Sequence, residues 1–560
     1  MGKNVKVKKA SSFSWLWMQT QHARLIMFAL ALVTVALSFC RLGWAYMLKI
    51  FSDIATGDSQ RPLLFGIIFM ITLILVSVPV EWSYTLLKSA LFGKVEGKLR
   101  EVFLTQVFRK RYIDIQKSHT GELMTLLTND TESAANYFPT LITDVMGNIT
   151  TCAFALVALF LLNWKLAVIL LVVIPIIILS LRACEPLIQK ASKSNKGDEE
   201  TNRKFMQELL GKLLLFKAYG NYSSAIEHSK DLYANKYKSS LKLAKFDGFS
   251  EILNTIFNLS LFAIILGVGA YYAIRGEATA GTLMAMTQLT NSVINSFSRV
   301  AQYISQTAQA SASVERIQKV LTLPDEPLKV TDKSLRPIAL ETRNVSFSYD
   351  DTEIVLKDVS LQAKPGEIVG IIGESGSGKS TITKILMGLY EPSKGKVEMQ
   401  STGGIIINDI MSKVAYVPSD NFLFAGSLQD NICMGADVDK ERLIMCAKAV
   451  NIYDFVEGLP NGFDEQVGEA SNTLSTGQAQ RVAIARALYK DSAVLIFDEP
   501  TANLDTSNVD ALLKTIKSIA KDKICIIVTH HLETKGICDR IYEISNGVTN
   551  ENVAQGYVAS

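Results

Sequence analysis

The sequence lacks a disulfide framework. Its seven cysteines are odd in number and scattered, and none stands in C-x-x-C spacing. That pattern excludes a disulfide scaffold and a cysteine-based zinc site, and it fits a reducing compartment. Excess charge of one sign is lacking too. Lys and Arg number 57, Asp and Glu 54, and the formal net charge is +3. Nothing in that balance argues for nucleic acid as a partner. No cleavable signal peptide is expected either, because the first apolar run is too long for an h-region and has no small-residue cleavage site.

What is present in excess is hydrophobic sequence. It makes up 48% of 560 residues, and the surplus sits before residue 305. Long apolar runs lie near 25–48, 62–86, 138–162, 165–182, 249–273 and 281–303. Most approach the ~20 residues needed to cross hydrocarbon. A buried soluble helix is the alternative, and a run such as 166–181, which has no charge, argues against it. Basic residues follow the second and fourth runs, among them Lys88, Lys94, Lys98 and Lys190, Lys193, Lys196. The positive-inside rule then puts both termini in the cytoplasm of a multi-pass protein. Residues 1–21 carry Lys3, Lys6, Lys8 and Lys9 before Phe13, Trp15 and Trp17. They read as a helix on the inner membrane surface or as a disordered leader.

The two inner loops are long, about 50 and 65 residues, and structureless loops of that size are uncommon. Charge mixed with apolar residues at helical spacing over 95–110 and 201–216 predicts that the helices continue past the bilayer. The turns of these extensions are expected at 112–121 and 206–211. In the sixth run, Met286, Leu289, Val293 and Phe297 share one helical face, with Thr287, Asn291 and Asn295 nearly opposite. Such a polar stripe must meet protein or a wet cavity. Glu81, Asp144 and Glu251 lie near the expected inner ends of their spans. They either make the cavity attractive to cationic substrates or pair with basic loop residues.

Residues 318–340 are polar and contain Pro324, Pro327 and Pro337, the mark of a linker. Beyond them short apolar strands alternate with helices, an α/β pattern. The fold class expected is two domains: an all-α polytopic membrane domain with six transmembrane helices extended into the cytoplasm, then, on the strength of the G-x-x-x-x-G-K-S stretch at 373–380 within the α/β part, an α/β P-loop ATPase domain. The boundaries expected are an elbow segment at 1–24, the membrane domain at 25–317, the linker at 318–340 and the ATPase domain at 341–560.

The stretch that organises the second domain is 373–380, Gly-Glu-Ser-Gly-Ser-Gly-Lys-Ser, between an apolar strand at 367–372 and a helix from Thr381. Gly373, Gly376 and Gly378 let backbone N–H groups turn inward around Glu374, Ser375 and Ser377, and the helix N-terminus adds positive potential. Lys379 can reach the β- and γ-phosphates of ATP, and the Ser380 hydroxyl can ligand Mg²⁺. Another continuous apolar strand, 492–497, ends in Asp498 and Glu499. Acids there sit where α/β sheets bind ligands. Asp498 suits Mg²⁺ through its water shell, and Glu499 suits the polarisation of an attacking water. Leu474-Ser475-Thr476-Gly477-Gln478 opens a helix and forms a second phosphate-binding feature. One nucleotide cannot easily use both within a single chain, so Gly477 is expected to grip a γ-phosphate held by another subunit. His530 ends a buried strand, where it can bond a γ-phosphate. Tyr349 is a candidate to stack on adenine.

GESGSGKS, LSTGQ, VLIFDEP, NLD at 503–505 and VTH stand in this order. Together they resemble the ATP-binding cassette superfamily, and with apolar spans upstream the chain resembles a half-size exporter over nearly all its length. The resemblance implies a dimer, homodimer favoured and heterodimer possible, with two ATP molecules each between Lys379 of one chain and Ser475–Gln478 of the other. It further implies Tyr349 at adenine, Glu499 as catalytic base, His530 as switch histidine and Asp505 in the inter-subunit loop. The turns at 112–121 and 206–211 match its coupling helices. One departure stands out: Ser419 occupies a position where the family usually has glutamine, and it is too short to reach Mg²⁺ in the same way. The function expected is ATP-driven export of a peptide, drug-like molecule or lipid across a bacterial-type cell membrane. An ATP-gated channel or an importer of exporter shape is the alternative.

Overall fold

The computed structural model describes residues 12–220, 222–327, 332, 334–349, 353–420, 423–468, 474–501, 506–530 and 532–553. They fall into two compact units. The first comprises Met1–Phe108 with His119–Thr322, the second Arg109–Ser118 with Leu323–Ser560.

The first unit is helical throughout. Helix α1 (Ser12–Gln19) buries Leu16 and stacks Phe13 on Trp17 at 6.2 Å. Helices α2 (Arg24–Ala55) and α3 (Leu63–Val107) follow, of 32 and 45 residues. At ~1.5 Å per residue, α3 outruns the ~30 Å of a hydrocarbon core about twofold. Its apolar half is lipid-compatible and its basic half extends beyond. A helical run over Thr120–Leu162, α5 here because the short α4 (Tyr112–Ile115) precedes it, contains π-helical stretches at Leu126–Asp130 and Leu141–Met146. Then come α6 (Trp164–Gly211), α7 (Leu213–Tyr219), α8 (Tyr222–Ile274), α9 (Ala280–Ser298) and α10 (Val300–Leu321).

The apolar runs near 25–48, 62–86, 138–162, 165–182 and 249–273 lie in α2, α3, α5, α6 and α8, and the run near 281–303 is divided between α9 and α10 at Arg299. Among the described residues four helices are long and apolar enough to cross a membrane: Gln21–Ala55, Leu63–Val107, Thr120–Leu162 and Tyr222–Ile274.

The reversal expected at 206–211 lies further on. Helix α6 continues through Gly211, whose φ is unremarkable, and the chain breaks at Lys212 (φ −111°). It then forms the separate short helix α7, which ends at Gly220 in the left-handed region (φ 65°). In α7, Leu214 is 84% exposed and Tyr219 80%. An isolated short helix with its apolar residues outward has no packing of its own to hold it.

Met286, Leu289 and Val293 of α9 pack against Leu159, Leu261 and Ile265, which fixes that helix face as the inner one. Asp53 at the end of α2 accepts the Gly281 amide at 3.1 Å. An anion there complements the N-terminus of α9, and Lys49 pairs with it at 2.9 Å.

The second unit holds two principal sheets. An antiparallel sheet has the order β2-β1-β4, from β1 (Pro337–Ser348), β2 (Ile354–Ala363) and β4 (Lys394–Ser401). The six-stranded sheet uses β3 (Ile368–Ile372), β5 (Val414–Val417), β6 (Val494–Asp498), β7 (Ile524–Val528), β8 (Arg540–Ser545) and β9 (Val548–Val553). Their order is β9-β8-β3-β7-β6-β5, parallel apart from the β8–β9 hairpin. Strands β3 and β7 are buried at every position and β6 at all but Asp498. Parallel strands covered on both faces require such unbroken Val/Ile/Leu runs. The sheet thereby brings the C-terminal ends of β3, β5, β6 and β7 side by side.

Candidate nucleotide site

The loop after β3 leads into helix α11 (Lys379–Leu386). Gly373, Gly376 and Gly378 have φ of 154°, 83° and 106°. A Cβ on Gly373 would stand 2.3 Å from the Ile544 carbonyl oxygen, and one on Gly378 would stand 2.6 Å from Leu356 Cδ2. Positive φ favours glycine at both positions, and at Gly373 a backbone oxygen also leaves no space for a side chain. Lys379 Nζ bridges the loop, donating to the Gly373 and Glu374 carbonyls at 2.7 and 2.8 Å. The buried Ser377 hydroxyl has no hydrogen-bond partner among the described atoms. Glycines that admit no side chain, an unpartnered hydroxyl and a lysine folded over the loop suit a chain of phosphate oxygens.

Tyr349 follows β1. Its hydroxyl lies 3.0 Å from Thr381 Oγ1, and its ring stands edge-on to Phe347 and Tyr390 at 5.1 and 5.9 Å. With 40% of the residue exposed, a ring face is left for a flat ligand. Tyr390 links this cluster to α4: it stacks on Phe347 at 5.3 Å, meets the Tyr112 ring at 6.2 Å and donates its hydroxyl to Gln116. The expected turn at 112–121 therefore belongs to the ATPase unit through Ser118 and to the helical unit from His119.

The acidic end is built by β6 and its neighbours. Asp498 pairs in register with Val528 of β7, and Ile496 with Tyr416 of β5. Tyr416 thus shares a face with Asp498 one diagonal step away, within reach of a long side chain. Its hydroxyl donates to Asp498 Oδ2 at 2.8 Å. Burial pushes the Asp498 carboxyl above the usual carboxylate range, with Glu499 and Asp420 adding to the rise while Tyr416 and Lys379 oppose it. Burial, and then Asp498, push the Tyr416 phenol up. Glu499 adopts φ 46° and donates its amide to the Val528 carbonyl at 2.8 Å. Its Oε1 lies 3.0 Å from His530 Nδ1. The Thr529 amide bonds to Ile371 of β3 at 3.1 Å, which seats His530 beside the glycine loop. Ser380 and Asp498 offer the hard oxygen donors that Mg²⁺ takes.

Helix α12 (Thr476–Tyr489) begins at Ser475, whose hydroxyl accepts the Gln478 amide at 3.3 Å while Gln478 Oε1 accepts the Ser475 amide at 2.8 Å. This capping box satisfies two donors reciprocally. It commits the Gln478 side chain and leaves the Thr476 and Gly477 amides at the helix start. Leu474 anchors the turn by packing against the core of this unit. Ser419 is half-buried just beyond β5, beside the exposed Asp420. Asp505 lies outside the described residues.

Sequence reasoning missed Tyr416. It also missed a groove of about 770 Å³ on the same unit, lined by Met387, Leu389, Met411, Tyr416, Met434 and Arg442. In the helical unit, a cavity of about 790 Å³ is lined by residues including Asn148, Cys152, Leu156, Tyr303 and Ile304. A second, polar cavity of about 390 Å³ contains Asp144, Lys88, Asn136, Tyr137 and Gln306. Asn148 donates to the Tyr303 hydroxyl and Lys88 approaches Asp144 to 3.9 Å, so Asp144 has a basic neighbour. Glu81 and Glu251 are exposed on α3 and α8, Asn291 and Asn295 are exposed on α9, and Thr287 bonds back to the Leu283 carbonyl at 3.0 Å. The polar stripe of α9 therefore points away from the packed face.

Residues 356–502 match the ABC transporter family and residues 24–297 the ABC transporter transmembrane region. A multidrug resistance ABC transporter ATP-binding and permease protein of Lactococcus lactis subsp. lactis is 29% identical over 445 residues, covering 78% of this chain and 75% of the relative. An ATP-dependent lipid A-core flippase of Desulfotalea psychrophila is 27% identical over 472 residues, covering 83% and 82%. The solved structure of a bacterial Atm1-family ABC exporter with ATP bound shares the fold, with a TM-score of 0.72, 21% identity and coverage of 96% and 95%. Glycine loop, paired acids and histidine at one sheet edge, joined on one polypeptide to an N-terminal helical membrane domain, agree with both family matches: the chain belongs to the ABC transporters, with exporter architecture and an ATPase domain that couples ATP hydrolysis to transport.

Proposed function

We propose that the chain is one half of a dimeric exporter that moves an amphipathic, drug-like or lipid substrate out of the cytoplasm. The observation that carries this reading is the convergence of Lys379, Asp498, Glu499 and His530 at the C-terminal ends of neighbouring parallel strands. The multidrug and lipid A names of the relatives supply the substrate range. The apolar cavity beside Tyr303 and the polar one beside Asp144 suit a molecule with both characters.

In this reading the glycine-loop amides and Lys379 hold the β- and γ-phosphates, and Tyr349 stacks on adenine. Glu499 orients the attacking water and takes up its proton, and His530, bonded to Glu499, steadies that carboxylate and faces the γ-phosphate. Mg²⁺, held by Ser380 and through water by Asp498, would supply charge neutralisation between those phosphates. Ser475 and the Gly477 amide serve the nucleotide of the partner subunit. A homodimer follows most simply from a chain that carries every one of these groups. The exposed apolar helix α7 is the element that carries movement from the membrane domain to an ATPase unit. Both termini lie in the cytoplasm.

Reconstitution in lipid vesicles tests the reading. ATP-dependent accumulation of a fluorescent amphipathic dye, abolished by Glu499→Gln, is the expected result. Current or downhill flux gated by ATP, without accumulation, would favour a channel instead.

A further inference from the structure

We propose that Tyr416 is a positioning residue for the metal-binding carboxylate: its hydroxyl fixes Asp498 through Oδ2 and leaves Oδ1 to the water shell of Mg²⁺. This rests on the ATP-site reading above. Tyr416 sits on β5, the edge strand of the sheet, opposite Ile496, so the pleat sends its side chain to the face that carries Asp498. The 2.8 Å bond joins the two strands by their side chains at the last residues of the β5–β6 ladder, whose final pair is Val417 with Phe497. Asp498 needs such a donor. It is partly buried, and Glu499 and Asp420 stand close enough to disfavour a third negative charge. A hydroxyl donating to the ionised carboxylate favours that form and fixes the rotamer through which the bond is made.

The other end of the same side chain faces elsewhere. The Tyr416 ring lines the groove with Met387, Leu389 and Met434. One aromatic residue thereby reaches from that groove to the Asp498 carboxylate.

The test separates positioning from packing by the ratio of two affinities measured on the full-length protein. Binding of the non-hydrolysable analogue AMP-PNP is titrated in EDTA and again with saturating Mn²⁺. The EDTA titration also reports that the variant is folded. Tyr416→Phe keeps the ring in the groove and removes only the hydroxyl. The expected result is that the gain in affinity from Mn²⁺ falls about tenfold, the size of a hydrogen bond to an ionised acceptor. Tyr416→Leu is read the same way and is expected to show the same fall. A packing role would weaken both titrations together and leave their ratio unchanged. Ratios within twofold of wild type in both variants overturn the proposal. Loss of AMP-PNP binding in EDTA by a Lys379→Ala control, with none in Tyr416→Phe, shows that the nucleotide reading stands even if Tyr416 fails.

Discussion

His530 Nδ1 and Glu499 Oε1 stand 3.0 Å apart at the ends of adjacent parallel strands. In the proposed mechanism the carboxylate orients water and the imidazole steadies it, so the two would act as one unit. Glu499→Gln is expected to lower ATP turnover by roughly 10²–10⁴-fold, the usual worth of a positioned base. His530→Ala should lower it about tenfold or more while ATP still binds. Phosphate release and nucleotide binding, measured on the same preparations, check both. Undiminished turnover in Glu499→Gln would remove the carboxylate from the mechanism.

Gly373→Ala should abolish nucleotide binding. Its Cβ would fall 2.3 Å from a backbone oxygen of Ile544, which cannot rotate away as a side chain can. Gly376→Ala meets no atom within 4 Å and is strained only by φ 83°, so it should retain weakened binding. Isothermal titration of both variants with ATP in EDTA ranks them.

The Asp498 carboxyl is raised above its ordinary value by burial. A carboxyl raised on folding lowers stability once pH exceeds its unfolded value, and the loss is complete above the folded value. Asp498→Asn should therefore raise the Tm of the nucleotide-free protein at pH 7.5, by an amount that shrinks as pH is lowered through the raised value. A Tm difference that grows on acidification would contradict the burial argument.

Ser419→Gln restores a side chain long enough to reach the metal. The slope of ATPase stimulation against substrate concentration should change between the two forms. Superimposable stimulation curves would mean that the loop position carries no coupling.

Glu81→Gln, Asp144→Asn and Glu251→Gln together test whether the acids recruit cationic cargo. Lys88 already stands 3.9 Å from Asp144, and Glu81 and Glu251 are exposed on separate helices. Dye transport by the triple variant is expected to stay within about twofold of wild type for cationic and neutral dyes alike, since partly exposed charges act weakly.

The ATPase unit was legible because its chemistry is local in sequence. Positive φ at Gly373, Gly376 and Gly378, the buried run 494–497 and the strand end at His530 each leave a mark within a few residues. The S-x-x-Q pattern at Ser475 and Gln478 carried a second meaning, a capping box, that the phosphate reading overshadowed. Tyr416 left no mark, because its partner is 82 residues away and only strand register brings them together. The reversal after α6 was misplaced by a few residues since a glycine, Gly211, is tolerated inside a long helix when the next residue supplies the break. Asn148 and Tyr303 escaped because a cavity between helices depends on packing rather than on any periodicity.

The left-handed backbone of Glu499 (φ 46°) narrows what that position tolerates. Val, Ile and Thr, branched at Cβ, are the side chains least able to hold such a conformation, whereas Asn, Asp and Gly hold it readily. Glu499→Asn and Glu499→Gly should therefore keep the strand end as it is, whereas Glu499→Val should strain it.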